Sequence, residues 1–331
     1  MANPTNYASV TDTEKLVKLI LYIIALIVGV TGNSLVLVIL ARKSRRVVND
    51  FFIINLAVAD LTLLIFSVPI TVLFYEESRF TAFVCKTVWP MMTIANNVSI
   101  FTLTIMAVCR CHVILNAFRP DIQQTTVVRS IALAWTLAAF LLLPLIIVAE
   151  ENPKGAGCEE NWTNLESRRA YTASLVILQY VLPLVAIAIA YVWIGVDLWK
   201  PERYMATSWA TQDRKGREKR RKENVQIVKT LATIVVLFAI CMLPGHIAWM
   251  LADFGGKSEN NVAMIILRFF DLLVYVHSCM NPIVYGTLTK YFRREYTRYF
   301  KFVFCCNAEL KALHHSKSHH RSHEHIHGVT L

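Results

Sequence analysis

The 331-residue chain is 55% hydrophobic and only 17% charged, and its mean hydropathy is +0.46. A soluble domain of this size could not bury so much apolar surface while carrying so few charges. The composition therefore excludes an ordinary soluble domain and favours a chain that crosses a membrane several times. The net charge of +11 does not by itself indicate nucleic-acid binding, because membrane proteins concentrate Lys and Arg on one side of the bilayer.

Seven apolar segments follow one another along the chain. Each reaches the roughly 20 residues that a helix needs to cross about 30 Å of hydrocarbon. A backbone in lipid must satisfy its own hydrogen bonds, and segments of this length do so as helices. The sequence thus predicts an all-α membrane protein, a bundle of seven transmembrane helices. In chain order, helices one to seven are predicted at 16–41, 50–75, 86–114, 127–149, 170–199, 225–251 and 262–287.

The predicted bundle divides the chain into four parts. An extracellular N-terminus, 1–15, precedes the transmembrane domain at 16–287. The basic and aromatic stretch at 288–304 predicts a short amphipathic cytoplasmic helix on the membrane surface. The His- and Ser-rich remainder, 305–331, predicts a disordered cytoplasmic tail with serines for an arrestin-type partner. The tail begins with Cys305 and Cys306, which are either palmitoylated or left as free cytosolic thiols.

Charge sets the predicted orientation. Most of the 34 Lys and Arg residues fall on one side, in clusters such as "ARKSRR" at 41–46 and "DRKGREKRRK" at 213–222. This bias predicts a multi-pass plasma-membrane protein with its N-terminus outside. Cys85 and Cys158 then lie in an oxidising compartment, where a disulfide between them is the natural pairing. Asn161 begins the outward-facing glycosylation sequon Asn-Trp-Thr.

Two carboxylates stand inside predicted helices, where ionisable residues are functional candidates by default. Asp60 lies near mid-membrane, and its oxygen and amide neighbours predict either a site for a small cation such as Na⁺ or a hydrogen-bonded polar plug. Asp271 lies nearer the outer end of helix seven, where it either meets a cationic ligand group or pairs with Arg268. The polar neighbours expected around Asp60 are Asn33, Asn55, Ser99, Ser278 and Asn281.

Prolines interrupt five of the predicted helices. Each removes a backbone donor and permits a kink, which either opens a cavity, acts as a pivot or serves packing alone. They are Pro69, Pro144, Pro183, Pro244 and Pro282.

A set of motifs in a fixed order carries a family resemblance. The motifs are "GNSLV" at 32–36, "NLAVAD" at 55–60, Cys85, Trp135, Pro183 with Tyr191, "FAICMLP" at 238–244, "NPIVY" at 281–285 and Phe292. In this order, on seven successive helices, they resemble the rhodopsin-like (class A) G-protein-coupled receptors. The resemblance covers the chain from about residue 20 to residue 306. No enzyme activity and no required cofactor are expected from it.

The resemblance implies roles for individual residues. Asp60, Ser99, Ser278 and Asn281 match the family's sodium pocket, and the two outer cysteines match its disulfide. The residues implied to form the conformational switch, which couples to a heterotrimeric G protein, are Arg110, Tyr191, Phe238, Met242, Pro244, Asn281, Pro282 and Tyr285.

Two departures from the family pattern stand out. The family usually has Asp-Arg-Tyr where this chain has Cys109-Arg110-Cys111, so the acid that restrains the arginine is absent. Helix six has Met242 where the family usually has a tryptophan. These changes imply either raised ligand-independent signalling or a failure to couple.

The expected ligand is a short neuropeptide. The segments "VPIT" at 68–71 and "HSCMNPIVY" at 277–285 resemble those of neuropeptide receptors, and acidic outer loops would steer a basic ligand inward. The aspartate of amine receptors would fall at Met92, and the lysine of opsins would fall at Tyr275. The predicted ligand-binding residues are Asp271, His246, Met92, Asn96, Gln179, Trp249, Tyr275 and Asp253.

Three alternatives remain open at this stage. The chain could respond to a cationic small molecule with atypical or constitutive coupling, or it could be a transporter. A transporter usually shows repeated halves, and none is visible in this sequence. An intramembrane enzyme would need a nucleophile with a base or a paired metal motif, whereas His246 and His277 are isolated.

Overall fold

The computed structural model describes residues 12–75, 81–116, 122–152, 158–199 and 211–302, which are mostly helical. Seven helical spans are long and apolar enough to cross a membrane, and a short helix at 290–302 follows the seventh. The predicted fold class is therefore confirmed. Helix one is Asp12–Ala41, helix two is Val48–Tyr75, helix three is Trp89–Leu115, helix six is Thr211–Phe254 and helix seven is Lys257–Leu288.

Helices four and five are built from pieces. Helix four comprises Gln124–Leu141 and Leu143–Val148, and the break comes directly before Pro144. Helix five comprises Leu165–Val176, the π-helical turn Ile177–Val181 and Leu182–Trp199. Both interruptions lie close to a proline, which lacks the donor that would continue the regular ladder.

Several helices begin earlier than the apolar pattern predicts, and helices one, five, six and seven do so most clearly. Hydropathy marks only the part of a helix that lies in hydrocarbon, whereas water and side-chain pairs support polar turns beyond it. Glu14 and Lys18, one turn apart at the start of helix one, form such a pair with an N–O distance of 2.7 Å.

A disulfide-linked hairpin occupies the loop between helices four and five. Strand β1 (Ala149–Glu151) pairs antiparallel with strand β2 (Cys158–Glu160). The predicted disulfide between Cys85 and Cys158 is confirmed, with 5.5 Å between their Cα atoms. It ties β2 to the π-helical turn Val84–Val88 that leads into helix three.

The chain forms two compact units, Met1–Val284 and Tyr285–Leu331. In the second unit, Tyr285 stacks on Phe292 with ring centroids 5.4 Å apart. Burial raises the pKa of the nearby Tyr296 hydroxyl. The same unit also has a basic surface. A shallow cavity of about 700 Å³ is lined by Lys290, Arg293, Arg294, Thr297, Arg298 and Lys301. Cys305, Cys306 and the tail lie outside the described residues, as do residues 1–11 and two acids of the predicted outer loops, Glu76 and Glu77.

Glycines allow three close helix contacts in the first unit. A Cβ on Gly29 would lie 2.3 Å from a Leu64 methyl carbon, and one on Gly32 would lie 3.0 Å from Pro282. A Cβ on Gly245 would lie 2.2 Å from the ring of Phe270, on the neighbouring helix seven. Helices six and seven therefore approach more closely beside Pro244 than any larger residue would permit.

Gly245→Ala is expected to destabilise the bundle, because the added methyl group overlaps the Phe270 ring. Overpacking of this kind costs about 1–3 kcal/mol. Gly195→Ala is the matched control, because nothing lies within 4 Å of its new Cβ. Helix propensity predicts that this control is neutral or stabilising by up to about 1 kcal/mol. Thermal unfolding of both purified variants in one detergent would measure the difference, and equal melting temperatures would contradict the close contact.

Candidate functional site

Four charged residues gather toward the N-terminal ends of helices one and seven, on the side that the sequence predicts to be extracellular and that is called the outer side below. Lys18 is only 2% exposed and lies 4.4 Å from the centroid of the Phe269 ring. Glu14 pairs with Lys18 and also with Arg268, whose guanidinium lies 3.6 Å from its carboxylate. Lys18 also attracts the charge of Asp271 electrostatically. The cluster holds two acids and two bases, so its charges balance.

Asp271 is the exposed acid of this cluster. An ionised carboxylate in direct contact with lipid would be costly, so an accessible Asp271 is expected to face a water-filled space. The alternative of pairing with Arg268 is replaced by a larger arrangement, in which Arg268 pairs with Glu14 and Lys18 acts on Asp271. Asp271 is thus exposed on the bundle, and the buried Lys18 balances part of its charge.

Tyr275 lies one turn deeper on helix seven and is 1% exposed. Its hydroxyl is 2.6 Å from the Ser67 hydroxyl and 2.6 Å from the Thr71 hydroxyl, both on helix two. Its ring packs edge-on against Tyr22 of helix one at 5.4 Å. The structure therefore places Tyr275 in the packing that joins helices one, two and seven.

Asp253 also has internal partners at the outer end of helix six. Its carboxylate accepts from the Thr172 hydroxyl at 2.5 Å and lies 2.7 Å from the Arg168 guanidinium. Arg169 donates to the backbone oxygen of Asp253 at 2.8 Å. Because Asp253 is only 5% exposed, it links helix six to the outer end of helix five. A ligand would have to break this ion pair to reach the carboxylate.

Between helices three, five and six, the remaining predicted ligand residues fall into two groups. Met92, Asn96 and His246 are half-buried, and Trp249 is 37% exposed, so part of each residue is exposed. Gln179 is 7% exposed, and its side-chain nitrogen has no hydrogen-bond partner within the described residues. A buried amide donor of this kind is costly unless water or a ligand accepts from it.

Asp60 lies at the centre of the bundle and is 1% exposed. The side-chain nitrogen of Asn281 donates to it at 2.7 Å, which joins helices two and seven. The buried hydroxyl of Ser278 lies beside Asp60 and makes no other hydrogen bond in the described ranges. Asn33 donates to the Ser278 backbone oxygen at 3.0 Å, and its own side-chain oxygen has no partner there.

The oxygens around Asp60 are of the kinds that a small hard cation takes as ligands. A carboxylate, a spare hydroxyl and an unused amide oxygen are the ligand types that such cations prefer. Ser99, the other predicted sodium ligand, is 2% exposed, and its hydroxyl donates to the Ala95 carbonyl at 3.3 Å. That bond leaves the lone pairs of the Ser99 oxygen available as acceptors.

Asn55 does not take the place expected for it beside Asp60. Its side-chain nitrogen donates to the Thr102 hydroxyl at 2.7 Å, and its oxygen accepts from the Trp135 indole at 2.9 Å. Asn55 thus joins helices two, three and four. The helical turn between Asn55 and Asp60 is enough to direct the two side chains to different neighbours.

Near the C-terminal end of helix three, Arg110 is half-buried between two free cysteines. Cys109 is half-buried, whereas Cys111 is 7% exposed and lies within electrostatic reach of Asp197 on helix five. Tyr191 lies earlier on helix five, and its hydroxyl has no hydrogen-bond partner among the residues that the structure describes.

The predicted hinge on helix six is packed tightly. Met242 is 0% exposed and Phe238 is 1% exposed. The Phe238 ring lies edge-on against His277 of helix seven at 5.2 Å. Pro244 stands inside helix six, and Pro282 stands inside helix seven.

A sequence model of the family described as "7 transmembrane receptor (rhodopsin family)" matches residues 32–285. The chain belongs to the rhodopsin family of seven-transmembrane receptors. Its family membership makes it a multi-pass membrane receptor and confirms the resemblance drawn from its motifs. The match ends at Tyr285, the last residue of "NPIVY".

Three relatives show where the chain stands within the rhodopsin family. Galanin receptor type 1 of Rattus norvegicus is 29% identical over 302 residues, covering 88% of this chain and 84% of the relative. Neuropeptide FF receptor 2 of Rattus norvegicus is 30% identical over 311 residues, covering 88% and 73%. A QRFP-like peptide receptor of Branchiostoma floridae is 28% identical over 296 residues, covering 85% and 77%.

Two features of this receptor escaped the sequence patterns. The sequence contains one indication of the cluster of Glu14, Lys18 and Arg268. It is an acid four residues before a base at the start of an apolar segment. Tyr180 of helix five contacts Ala239 and His246 of helix six. No sequence pattern indicates these contacts, because one tyrosine in an apolar run resembles ordinary packing.

Proposed function

We propose that this chain is a plasma-membrane receptor that binds a short extracellular neuropeptide and activates a heterotrimeric G protein. The main supporting observation is an exposed acid, Asp271, in the outer half of helix seven in a rhodopsin-family bundle. The charge bias of the loops supports an extracellular N-terminus. The relatives named for galanin, neuropeptide FF and QRFP-like peptides support a peptide rather than an amine.

The surroundings of Asp271 refine the expected ligand. An isolated carboxylate would favour any cation, but Lys18 already balances part of its charge. A peptide that presents both a basic side chain and hydrogen-bonding backbone groups can meet the remaining charge of Asp271 and also bond to the polar groups around it. A small cation offers only the first of these, so the cationic small-molecule alternative is the weaker of the two.

The ligand space is proposed to lie between Asp271 and the His246 region. Met92, Asn96 and Trp249 have exposed surface for ligand contact, and Gln179 supplies an unused amide donor. Asp253 and Tyr275 are proposed to support this space without lining it in the conformation seen here, because both are buried and bonded to internal partners. Ligand binding would engage Asp253 directly only if helices five and six separate at their outer ends.

A peptide library screen tests the proposed function. Cells that express the full chain would be exposed to short basic peptides, and calcium and cyclic AMP would be recorded against cells without it. A purified G protein would then report whether an active peptide accelerates nucleotide exchange through the receptor. Peptide-driven uptake of a solute without nucleotide exchange would instead indicate the transporter alternative.

Asp271→Asn is expected to reduce the potency of an activating Arg- or Lys-containing peptide by about tenfold or more, because a charge-assisted hydrogen bond contributes about 1.5–3 kcal/mol. Glu166→Gln is the control, because Glu166 is an outer acid whose side chain is 85% exposed. Concentration–response curves in nucleotide exchange would measure both. An unchanged potency for Asp271→Asn would remove this residue from the ligand site.

The switch at the cytoplasmic side is proposed to work through Arg110. Helix six would swing outward about Pro244, with Phe238 and Met242 repacking as it moves, and would uncover Arg110 for the G protein. Tyr191, Asn281, Pro282 and Tyr285 are proposed to support the open state. Arg110 lacks the neighbouring acid of the usual family triplet, because Cys109 occupies that position.

Cys109→Asp is expected to lower ligand-independent nucleotide exchange, because the new carboxylate would pair with Arg110 and favour the closed state. The control is Cys109→Asn, which has nearly the same shape without the charge and should keep the basal rate of the wild type. The two variants would be compared at matched surface expression. Equal basal rates in all three proteins would show that the missing acid does not set the resting activity.

We further propose that Asp60, Ser99, Ser278 and Asn281 hold an allosteric Na⁺ ion. A bound cation would supply positive charge at the centre of the bundle and would favour one arrangement of helices two, three and seven. The hydrogen-bonded plug is the alternative, and the Asn281 contact with Asp60 supports it equally.

Sodium is expected to reduce agonist potency several-fold in the wild type and to have no effect in Asp60→Asn, because the variant lacks the charge that binds the ion. NaCl would be replaced by choline chloride at constant ionic strength, so that general screening stays equal. A wild-type potency that is the same in both salts would favour the polar plug.

Other proposed features concern modification and partners. Asn161 is exposed and lies directly after β2, which supports its proposal as a glycan site. The basic face of the 290–302 helix is proposed to contact anionic membrane lipid. Palmitoylation at Cys305 and Cys306 and an arrestin-type partner at the tail serines stay predictions from the sequence.

A further inference from the structure

Tyr180 contacts helix six at two separate points. Its hydroxyl donates to the backbone oxygen of Ala239 at 2.9 Å. Its ring lies 4.6 Å from the ring of His246, centroid to centroid. Ala239 and His246 are seven residues apart, about two helical turns, so they share one face of helix six. One side chain of helix five therefore spans the part of helix six that contains Pro244.

The hydrogen bond falls on a weak part of helix six. Pro244 has no backbone N–H and its ring crowds the preceding turn, which displaces carbonyl groups from the regular ladder. The carbonyl that loses its donor is that of Ile240, four residues before Pro244, and Ala239 directly precedes Ile240. The Tyr180 hydroxyl therefore adds a hydrogen bond beside the gap in the helical ladder, at a depth where the membrane supplies no water.

The local backbone of helix five directs Tyr180 toward this carbonyl. Tyr180 lies in the π-helical turn Ile177–Val181, where Leu182 bonds back to Ile177 instead of to the residue four before it. Such turns are rare, change the direction of the side chains they carry and occur frequently at functional sites. The neighbouring Gln179 stands in the same turn with its unused buried donor.

A second tyrosine of helix five makes a comparable bond to helix four. The Tyr171 hydroxyl donates to the Leu141 backbone oxygen at 3.2 Å, at the break before Pro144. Helix five thus supplies a phenol to the proline-disturbed region of each neighbour. The two bonds have the same chemistry, but in the proposed function only helix six moves.

We propose that Tyr180 is a positioning residue that holds helix six in the conformation seen here, through Ala239 on one side of Pro244 and His246 on the other. The proposal rests on the proposed function, in which outward movement of helix six activates the G protein. Because His246 is half-buried and adjoins the predicted ligand space, a ligand that displaces its ring would also loosen the hold of Tyr180.

Tyr180→Phe removes the hydroxyl and keeps the ring. Loss of one partly buried hydrogen bond should shift the equilibrium between helix-six positions by about two- to tenfold. The basal rate of nucleotide exchange should rise by the same factor. Tyr171→Phe is the matched control, because it removes an equivalent bond to helix four, and its basal rate should stay within about twofold of the wild type.

The experiment uses the full receptor in lipid nanodiscs with a purified G-protein heterotrimer and no ligand. Exchange would be measured at equal receptor concentration, after equal thermal stability of the two phenylalanine variants has been checked. A basal rate for Tyr180→Phe that equals or falls below the wild type would overturn the proposal. Equal increases in both variants would also overturn it, since they would reflect general loosening of helix five.

A second readout separates this proposal from the proposed function. Spin labels at the exposed positions Thr125 on helix four and Lys229 on helix six would report the distance between these helices without any G protein. A longer distance population in Tyr180→Phe, absent from Tyr171→Phe, is the expected result. If no variant accelerates exchange on any G protein but the distance shifts, the receptor function fails and the positioning role stands. An unchanged distance overturns the positioning role alone.

Discussion

Hydrocarbon offers no hydrogen bonds, and this constraint governs the whole architecture. Every polar group that enters the bilayer must find a partner within the bundle or face a cavity that water can reach. Regular helices meet most of the requirement for the backbone. The prolines create exceptions, and Tyr171 and Tyr180 each supply a donor to a backbone oxygen near one of them. The same constraint explains why Asn281 bonds to Asp60, and why Asn55 bridges two other helices.

These bonds are distributed unevenly between the helices. Helix seven is joined to helices one and two through Asn33, Tyr275 and Asn281, at three different depths. The described polar contacts between helix five and helix six lie at the outer end, through Arg168, and at the level of Pro244, through Tyr180. Tight glycine contacts at Gly29 and Gly32 reinforce the first group. The arrangement suits a molecule in which helix seven provides a fixed frame and the inner part of helix six changes position.

The sequence predicts the membrane helices because their apolar length is a direct requirement of the bilayer. The disulfide follows from topology, since only two cysteines were expected on the oxidising side. The breaks at Leu142 and Ile177–Val181 are less accessible to such reasoning, because a proline permits several distortions and tertiary contacts select one.

The polar site is only partly predictable for a similar reason. The placement of Asp60, Ser278 and Asn281 together was expected from the motifs, and their bonds agree with it. The pairing of Asp253 with Arg168 joins residues far apart in the chain, so no local pattern indicates it. The buried position of Tyr275 depends on Ser67 and Thr71 of another helix. Residue type was enough to identify candidate site residues. The exposure of each side chain depends on neighbours from other helices, whose positions the sequence does not give.

The ion pair of Asp253 with Arg168 has a mechanical consequence. It fixes the outer end of helix six, so a bend at Pro244 makes the inner segment a lever arm. From Pro244 to Asn224 this arm is roughly 30 Å long at 1.5 Å per residue. A bend of about 15° would then displace its inner end by roughly 8 Å. A bend confined to the few residues around Pro244 is thereby converted into a much larger displacement at the inner end of helix six.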